Sequence, residues 1–349
     1  MLCLREREAL IIGGKIMQSA ALATLTSPVI LFFVLGLLAA LARSDLAIPE
    51  PIAKSLSIYL MIAIGLKGGV ALAKSGFGVD ALAALGAGIG LSFLLPFPIY
   101  VLLRWLGRLD QINAGAVAAH YGSVSVVTFV TASEIIAASG MEVAGYMVAV
   151  LAVMETPAIL AGILLVRMGQ TKAADGAAAT RGRGAAAGRL GMLKEVLFNA
   201  SVVLLIGSLV IGLVAGPTGY DEVRPMFEAG FRGVLCIFLL DMGLIAARRL
   251  IASRAMTFRL VALALAIPLV NGTLGALAGT AIGLDAGSAA AFAMLCASAS
   301  YIAVPAAIRM AVPEADPGIY LTMSLSVTFP FNIIVNIGLM TALAGWLAG

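Results

Sequence analysis

Ten apolar stretches follow one another along the chain, at 28–42, 53–73, 79–103, 113–137, 143–166, 195–215, 226–247, 258–282, 286–308 and 317–345, with short polar segments between them. A helix needs about 20 apolar residues to cross a bilayer, and most of these stretches approach or exceed that length. Their apolar positions are continuous rather than alternating, which excludes the strands of a membrane β-barrel. The pattern predicts an all-α integral membrane protein with ten transmembrane helices, both chain ends lying on one side.

The stretch 169–190, GQTKAADGAAATRGRGAAAGRL, interrupts the series. It is Ala/Gly-rich, basic and without apolar periodicity, and reads as a flexible linker. It divides the chain into 1–168, a linker at 169–193, and 194–349. The two parts resemble each other at an offset of 172–178 residues. Pro96 matches Pro268, Leu109-Asp110 matches Leu284-Asp285, and Ser123 and Ser125 match Ser298 and Ser300; Pro157 matches Pro330, and Gly65 matches Gly243. Because each half carries five spans, an odd number, the second half enters the membrane from the opposite face. Inverted five-helix repeats are a common plan of secondary transporters, which place one site between two related gates.

Composition agrees with this reading: 62% of residues are apolar, 11% are charged, and mean hydropathy is +1.08. The net charge of +4 does not indicate nucleic-acid binding, because the basic residues sit in short loops between spans. On the side of the termini lie Arg5, Arg7, Lys15, Lys74 and Arg224. Opposite are Arg43, Lys54, Arg104, Arg108, Arg167, Lys172, Arg181, Arg183, Arg189, Lys194, Arg248, Arg249, Arg254, Arg259 and Arg309, fifteen against five. The fifteen-side is expected to be cytoplasmic, and both termini to lie outside, in a bacterial inner membrane. The first residues, MLCLREREALIIGGK, mix acids and bases and lack the layout of a cleaved signal peptide. Trp105 and Trp346 fall at span ends, as interfacial anchors do. Cys3, Cys236 and Cys296 show no metal-ligand spacing and read as packing residues.

Candidate chemistry gathers in the fourth and ninth spans. Both carry a Ser-x-Ser cluster, Ser123-Val124-Ser125 after Gly122 and Ser298-Ala299-Ser300 after Ala297. Such clusters hold a continuous helix poorly, so these two helices are expected to be broken in mid-membrane. Free amides and hydroxyls at the breaks would then bind an anion; ordinary small-residue packing is the alternative. Ionisable residues inside spans are costly and draw attention by default: Lys67, Glu134, Glu155, Arg232 and Asp241. Glu155 precedes Thr156 and Pro157, where proline frees a carbonyl, and this set with Thr328 and Asn332 on the matching tenth span offers oxygen donors suited to sodium. An ion pair with a basic residue is the competing role for Glu155, and Glu134 also fits a solvated position near its span end. Lys67 and Asp241 occupy related places in the two halves and suggest a mutual ion pair. His120, the single histidine, reads as a packing residue or a proton-sensing one. No catalytic set, nucleotide fingerprint or metal motif appears, so an enzyme is not expected.

Several blocks resemble the SbtA-type sodium-dependent bicarbonate transporter family: PEPIAKSLSIYLMIAIGLKGG at 49–69, the serine motif before TASE at 131–134, METPA at 154–158, FRGVLCIFLLDMGL at 231–244 and SASYIAVPAAIRMAVPEADPGIY at 298–320. The resemblance implies ten helices in inverted halves, a homotrimer, and inward bicarbonate transport with sodium as co-substrate and no other cofactor. For cyanobacterial members it also implies a PII-like cytoplasmic regulator. This chain departs in two places: its central loop is short and lacks an acidic insert, and Tyr301 stands where those members carry aspartate, giving Tyr301 a possible proton or gating role alongside His120, Lys67 and Asp241. A carrier for another small anion, proton-coupled, and an anion channel are the other functions compatible with the sequence.

Overall fold

The computed structural model describes residues 26–76, 78–174, 200–253 and 255–348. Among them there is no strand, and thirteen helices follow in order: α1 (Pro28–Leu41), α2 (Glu50–Ser75), α3 (Val79–Leu94), α4 (Pro96–Trp105), α5 (Gln111–Gly122), α6 (Val126–Ala138), α7 (Met147–Ala174), α8 (Ala200–Arg224), α9 (Phe231–Ala252), α10 (Phe258–Ala281), α11 (Ala286–Ala297), α12 (Ala303–Ala311) and α13 (Pro317–Ala348). Each apolar stretch coincides with one helix or with two in series. Among the described residues, seven helical stretches are long and apolar enough to cross a membrane, and α1 and α11 are shorter apolar helices. The N-terminal residues with Cys3, and most of the linker at 169–193, lie outside the described residues, while α7 continues through 169–174.

The helices sort into two groups. In the first, α1 packs along α9 and α2 along α8. The second contains α3 to α7 and α10 to α13, with α5 against α7, α3 against α7, and α11 against α10 and α13. Trp105 and Trp346 are both exposed at helix ends, and Cys236 and Cys296 are buried free thiols.

One stretch departs from the expected spans. Gly216 has φ 61°, a left-handed conformation that glycine adopts without a Cβ clash, and Pro217 follows it. The chain turns back there, and the polypeptide from Pro217 through the π-helical Pro225–Ala229 returns along α2. Tyr220 packs on Leu66 and Val70, Phe227 stacks on Tyr59 at 5.4 Å, and the Tyr59 hydroxyl donates to Met226 O. The sequence placed a loop at 216–225; the structure has helix, because a proline in the first turn of a helix costs no hydrogen bond.

Proline also shapes the second group. Pro268 inside α10 has no N–H for Ala264 O, and the Thr328 hydroxyl of α13 donates to that carbonyl at 2.6 Å. Helix α13 itself loosens into π-helical turns at Thr322–Thr328 and Asn332–Asn336, on either side of Pro330. Buried Ser324, Ser326, Thr328, Asn332 and Asn336 lie along it.

Candidate functional site

The two serine clusters interrupt their helices. Helix α5 ends at Gly122, Ser123 is extended, and α6 starts after Ser125, whose side chain accepts from Thr128 N at 3.2 Å. Likewise α11 ends at Ala297, Ser298 is extended, and α12 begins at Ala303, with Ser300 Oγ accepting from Val304 N at 3.4 Å. Gly122 is required at its position: a Cβ there would lie 2.4 Å from Pro96 Cγ.

A helix broken in an apolar interior exposes carbonyls that must find donors. Here the donors come from other segments. His120 O accepts from Ser300 N at 2.9 Å, Tyr121 O from Asn271 Nδ2 at 3.3 Å, and Ala297 O from Asn332 Nδ2 at 2.9 Å. Ser298 Oγ accepts from Ser125 N at 3.0 Å and donates to Leu295 O at 2.8 Å. The two breaks therefore brace each other through Ser125–Ser298 and Ser300–His120. Ser123 Oγ donates to Glu155 O at 3.2 Å, tying α7 to the first break.

Between the breaks lies a cavity. Its walls are Val124, Ser125 and Val126 from the first break, Ser300, Tyr301, Ile302 and Ala303 from the second, Glu155 from α7, and Ser57 and Met61 from α2. The volume open to the centre of a water-sized sphere is ≈ 10 Å³, room for about one water. Glu155 is 3% exposed, its Oε2 has no hydrogen-bond partner, and it forms no ion pair among the described residues. The N-terminal turns of α6 and α12 both open onto this space.

Of the residues singled out in the sequence, Val124, Ser125, Glu155, Ser300 and Tyr301 meet at the cavity. Gly122, Ser123, Ala297, Ser298 and Ala299 form the buried layer behind it, and Thr156 is half-buried outside the lining. Thr328 and Asn332 do not join Glu155 there. The Thr328 hydroxyl serves Ala264 O and Tyr121 (2.6 Å), and Asn332 serves Ala297 O and Asn336 Nδ2 (2.9 Å). His120 is buried behind the first break: its Nδ1 bonds Ala116 O at 2.7 Å and its ring stacks on Tyr320 at 4.6 Å.

The expected Lys67–Asp241 pair is not formed. Glu134 lies between two cations instead, 2.7 Å from Arg232 Nε and 3.8 Å from Lys67 Nζ, and it is paired rather than merely solvated. Lys67 rests over the Phe231 ring at 4.3 Å, and Asp241 is ten residues, about 15 Å, farther along α9. Asp241 is buried with Oδ2 unbonded.

Ser57, Met61 and the bracing Asn271 and Tyr121 were not singled out in the sequence. Asn271 is a lone amide in an apolar helix three residues after Pro268, a signal available in principle; its target lies 150 residues away.

The chain matches the family model of the Na+-dependent bicarbonate transporter superfamily over residues 28–345 and belongs to that family. It is a multi-pass membrane protein of a sodium-dependent transporter family. No curated protein matches it.

Proposed function

We propose that the chain imports bicarbonate together with sodium, through a site between two inverted five-helix repeats. The observation that supports this best is the convergence of two interrupted helices on one cavity beside an unpartnered buried carboxylate. The N-terminal amides of α6 and α12, with Ser125 and Ser300, suit a small oxyanion that needs no fixed cation to hold it. Glu155 suits the co-transported cation, with backbone carbonyls completing its oxygen donors.

The repeat arrangement is supported by a matched pair of contacts. Asp110 caps α5 and Asp285 caps α11, each accepting at 3.0 Å from the backbone N–H three residues on. The side chain at that third residue reaches the other half in both cases: Asn113 Oδ1 accepts from Asp316 N at 2.7 Å, and Ser288 Oγ from Ala144 N at 3.0 Å. On this reading both termini lie outside the cytoplasm of a bacterial inner membrane, the assembly is a homotrimer, and a PII-like protein is the expected cytoplasmic regulator.

Electrostatics requires coupling. Moving one negative charge inward against 100 mV costs about 2.3 kcal/mol. One cation neutralises that load, and a second lets the potential drive uptake. The test is uptake of isotopically labelled bicarbonate into proteoliposomes at fixed pH. Replacing sodium by potassium should abolish accumulation, and Glu155→Gln should weaken the sodium dependence. Accumulation that ignores sodium and follows a proton gradient would reject sodium coupling; conductance without saturation would favour a channel.

A further inference from the structure

We infer that Tyr301 selects the anion in this cavity, its hydroxyl donating to the bound oxyanion and its ring limiting the anion's size. This rests on the proposed anion site and deepens it.

Three observations carry the assignment. Tyr301 lines the same small cavity as Ser125, Ser300 and Glu155. Its hydroxyl is buried and faces the Ser125 side chain, yet makes no hydrogen bond of normal geometry. A buried donor left without an acceptor is costly, and such groups mark places where a partner is missing. The only other polar cavity atom in that condition among the described residues is Glu155 Oε2. A phenol is a donor of one hydrogen bond and, unlike the carboxylate, adds no negative charge. The pair therefore divides the cavity chemically, with Glu155 as the acceptor side for a cation and Tyr301 as the donor side for an anion.

The ring is also fixed in place. Tyr301 packs edge-on against Phe329 of α13 at 5.2 Å, and Phe329 packs edge-on against Phe33 of α1 at 5.4 Å. Aromatic contacts on this side restrain the ring from swinging away to admit a larger ligand. With room for about one water, the cavity must expand even for a four-heavy-atom anion, and the phenol is the largest side chain on its wall. The class of ligand that fits is a small oxyanion with an exposed acceptor oxygen.

The experiment compares wild type, Tyr301→Phe and Tyr301→Ala as purified full-length protein in sodium buffer. Thermal stabilisation is titrated with bicarbonate, formate, nitrate, acetate and pyruvate. Tyr301→Phe keeps the ring and should weaken binding of the preferred anion by about tenfold or more, with the melting temperature of the ligand-free protein unchanged. Tyr301→Ala should shift preference toward acetate and pyruvate. Unchanged affinity in Tyr301→Phe with unchanged size preference in Tyr301→Ala overturns the role of Tyr301 and leaves the anion site standing. Wild-type stabilisation by another anion but not bicarbonate rejects the substrate, and the Tyr301 contrast is then read on that anion. No stabilisation of wild type by any of the five rejects both readings. If Tyr301→Ala does not fold, the isosteric Tyr301→Phe decides.

Discussion

Replacing Thr328 by valine should destabilise the protein while leaving sodium dependence intact. The threonine hydroxyl has one hydrogen, and it is directed at Ala264 O, 2.6 Å away, the carbonyl that Pro268 leaves without a helical donor. The Tyr121 hydroxyl, 2.6 Å from the same oxygen, must therefore be the donor in their contact. Thr328→Val keeps the shape and strands both groups, each fully enclosed by protein. A buried polar group without a partner costs about 1–3 kcal/mol. Interhelical hydrogen bonds in membranes average about 0.6 and reach about 1.7 kcal/mol, since the unfolded state in lipid also finds partners. Two such losses amount to about 1–3 kcal/mol. The decisive arm is a double-mutant cycle with Pro268→Ala, which restores an N–H able to reach Ala264 O within the helix. In that background Thr328→Val should lose only its Tyr121 contact, about half the original cost. Reversible unfolding in mixed micelles measures all four proteins. An effect below about 0.5 kcal/mol, or an equal cost in both backgrounds, refutes the bracing role. A raised sodium requirement in Thr328→Val would restore this residue to the cation site.

Three further outcomes follow from the geometry. Ser125→Ala and Ser300→Ala, at the cavity wall, should each weaken anion affinity about tenfold, whereas Ser123→Ala and Ser298→Ala should mainly cost stability; equal affinity losses in all four would mean the wall is drawn wrongly. Asp110, at the start of α5, titrates below the usual carboxylate range: partial burial pushes it up, but hydrogen bonds from the Asn113 backbone and side chain and the Ile112 backbone outweigh that. Its cap is therefore fully present above the unfolded carboxylate pKa and lost as pH falls through the lower folded value. Asp110→Ala should cost about 1 kcal/mol at neutral pH and nothing in strong acid, which pH-dependent melting checks. Cysteine introduced at Thr180 should be labelled only from the cytoplasmic side; labelling from outside intact cells would invert the topology.

Much of this fold was legible because lipid imposes one requirement on every span, a continuous apolar stretch, and the sequence displays it directly. The breaks were legible for the opposite reason: Ser-Val-Ser and Ser-Ala-Ser cannot hide in an apolar helix. What escaped were pairings set by distance in space. Thr328 offered hydroxyl chemistry suited to a cation, but its use depended on a proline sixty residues earlier. Lys67 was paired with Asp241 from their related places in the two halves, but the fold brings Glu134 of α6 to both Lys67 of α2 and Arg232 of α9. The Gly216-Pro217 turn was not singled out in the sequence, and whether the following helix continued outward or doubled back depended on Tyr220 and Phe227 finding α2.

The mutually braced breaks have a consequence for how such a chain is made. Orphan carbonyls of α5 are met by Ser300 N and Asn271, residues synthesised long after α5 has entered the membrane. Ser125 N and Asp316 N likewise wait on, or are waited on by, side chains of the opposite half. Until the ninth stretch arrives, the first half is a nascent intermediate with its centre unsatisfied, a natural client for the insertion machinery and for quality control. Cutting the gene within 175–199 and expressing both pieces should accordingly yield fragments that are degraded singly and rescued together.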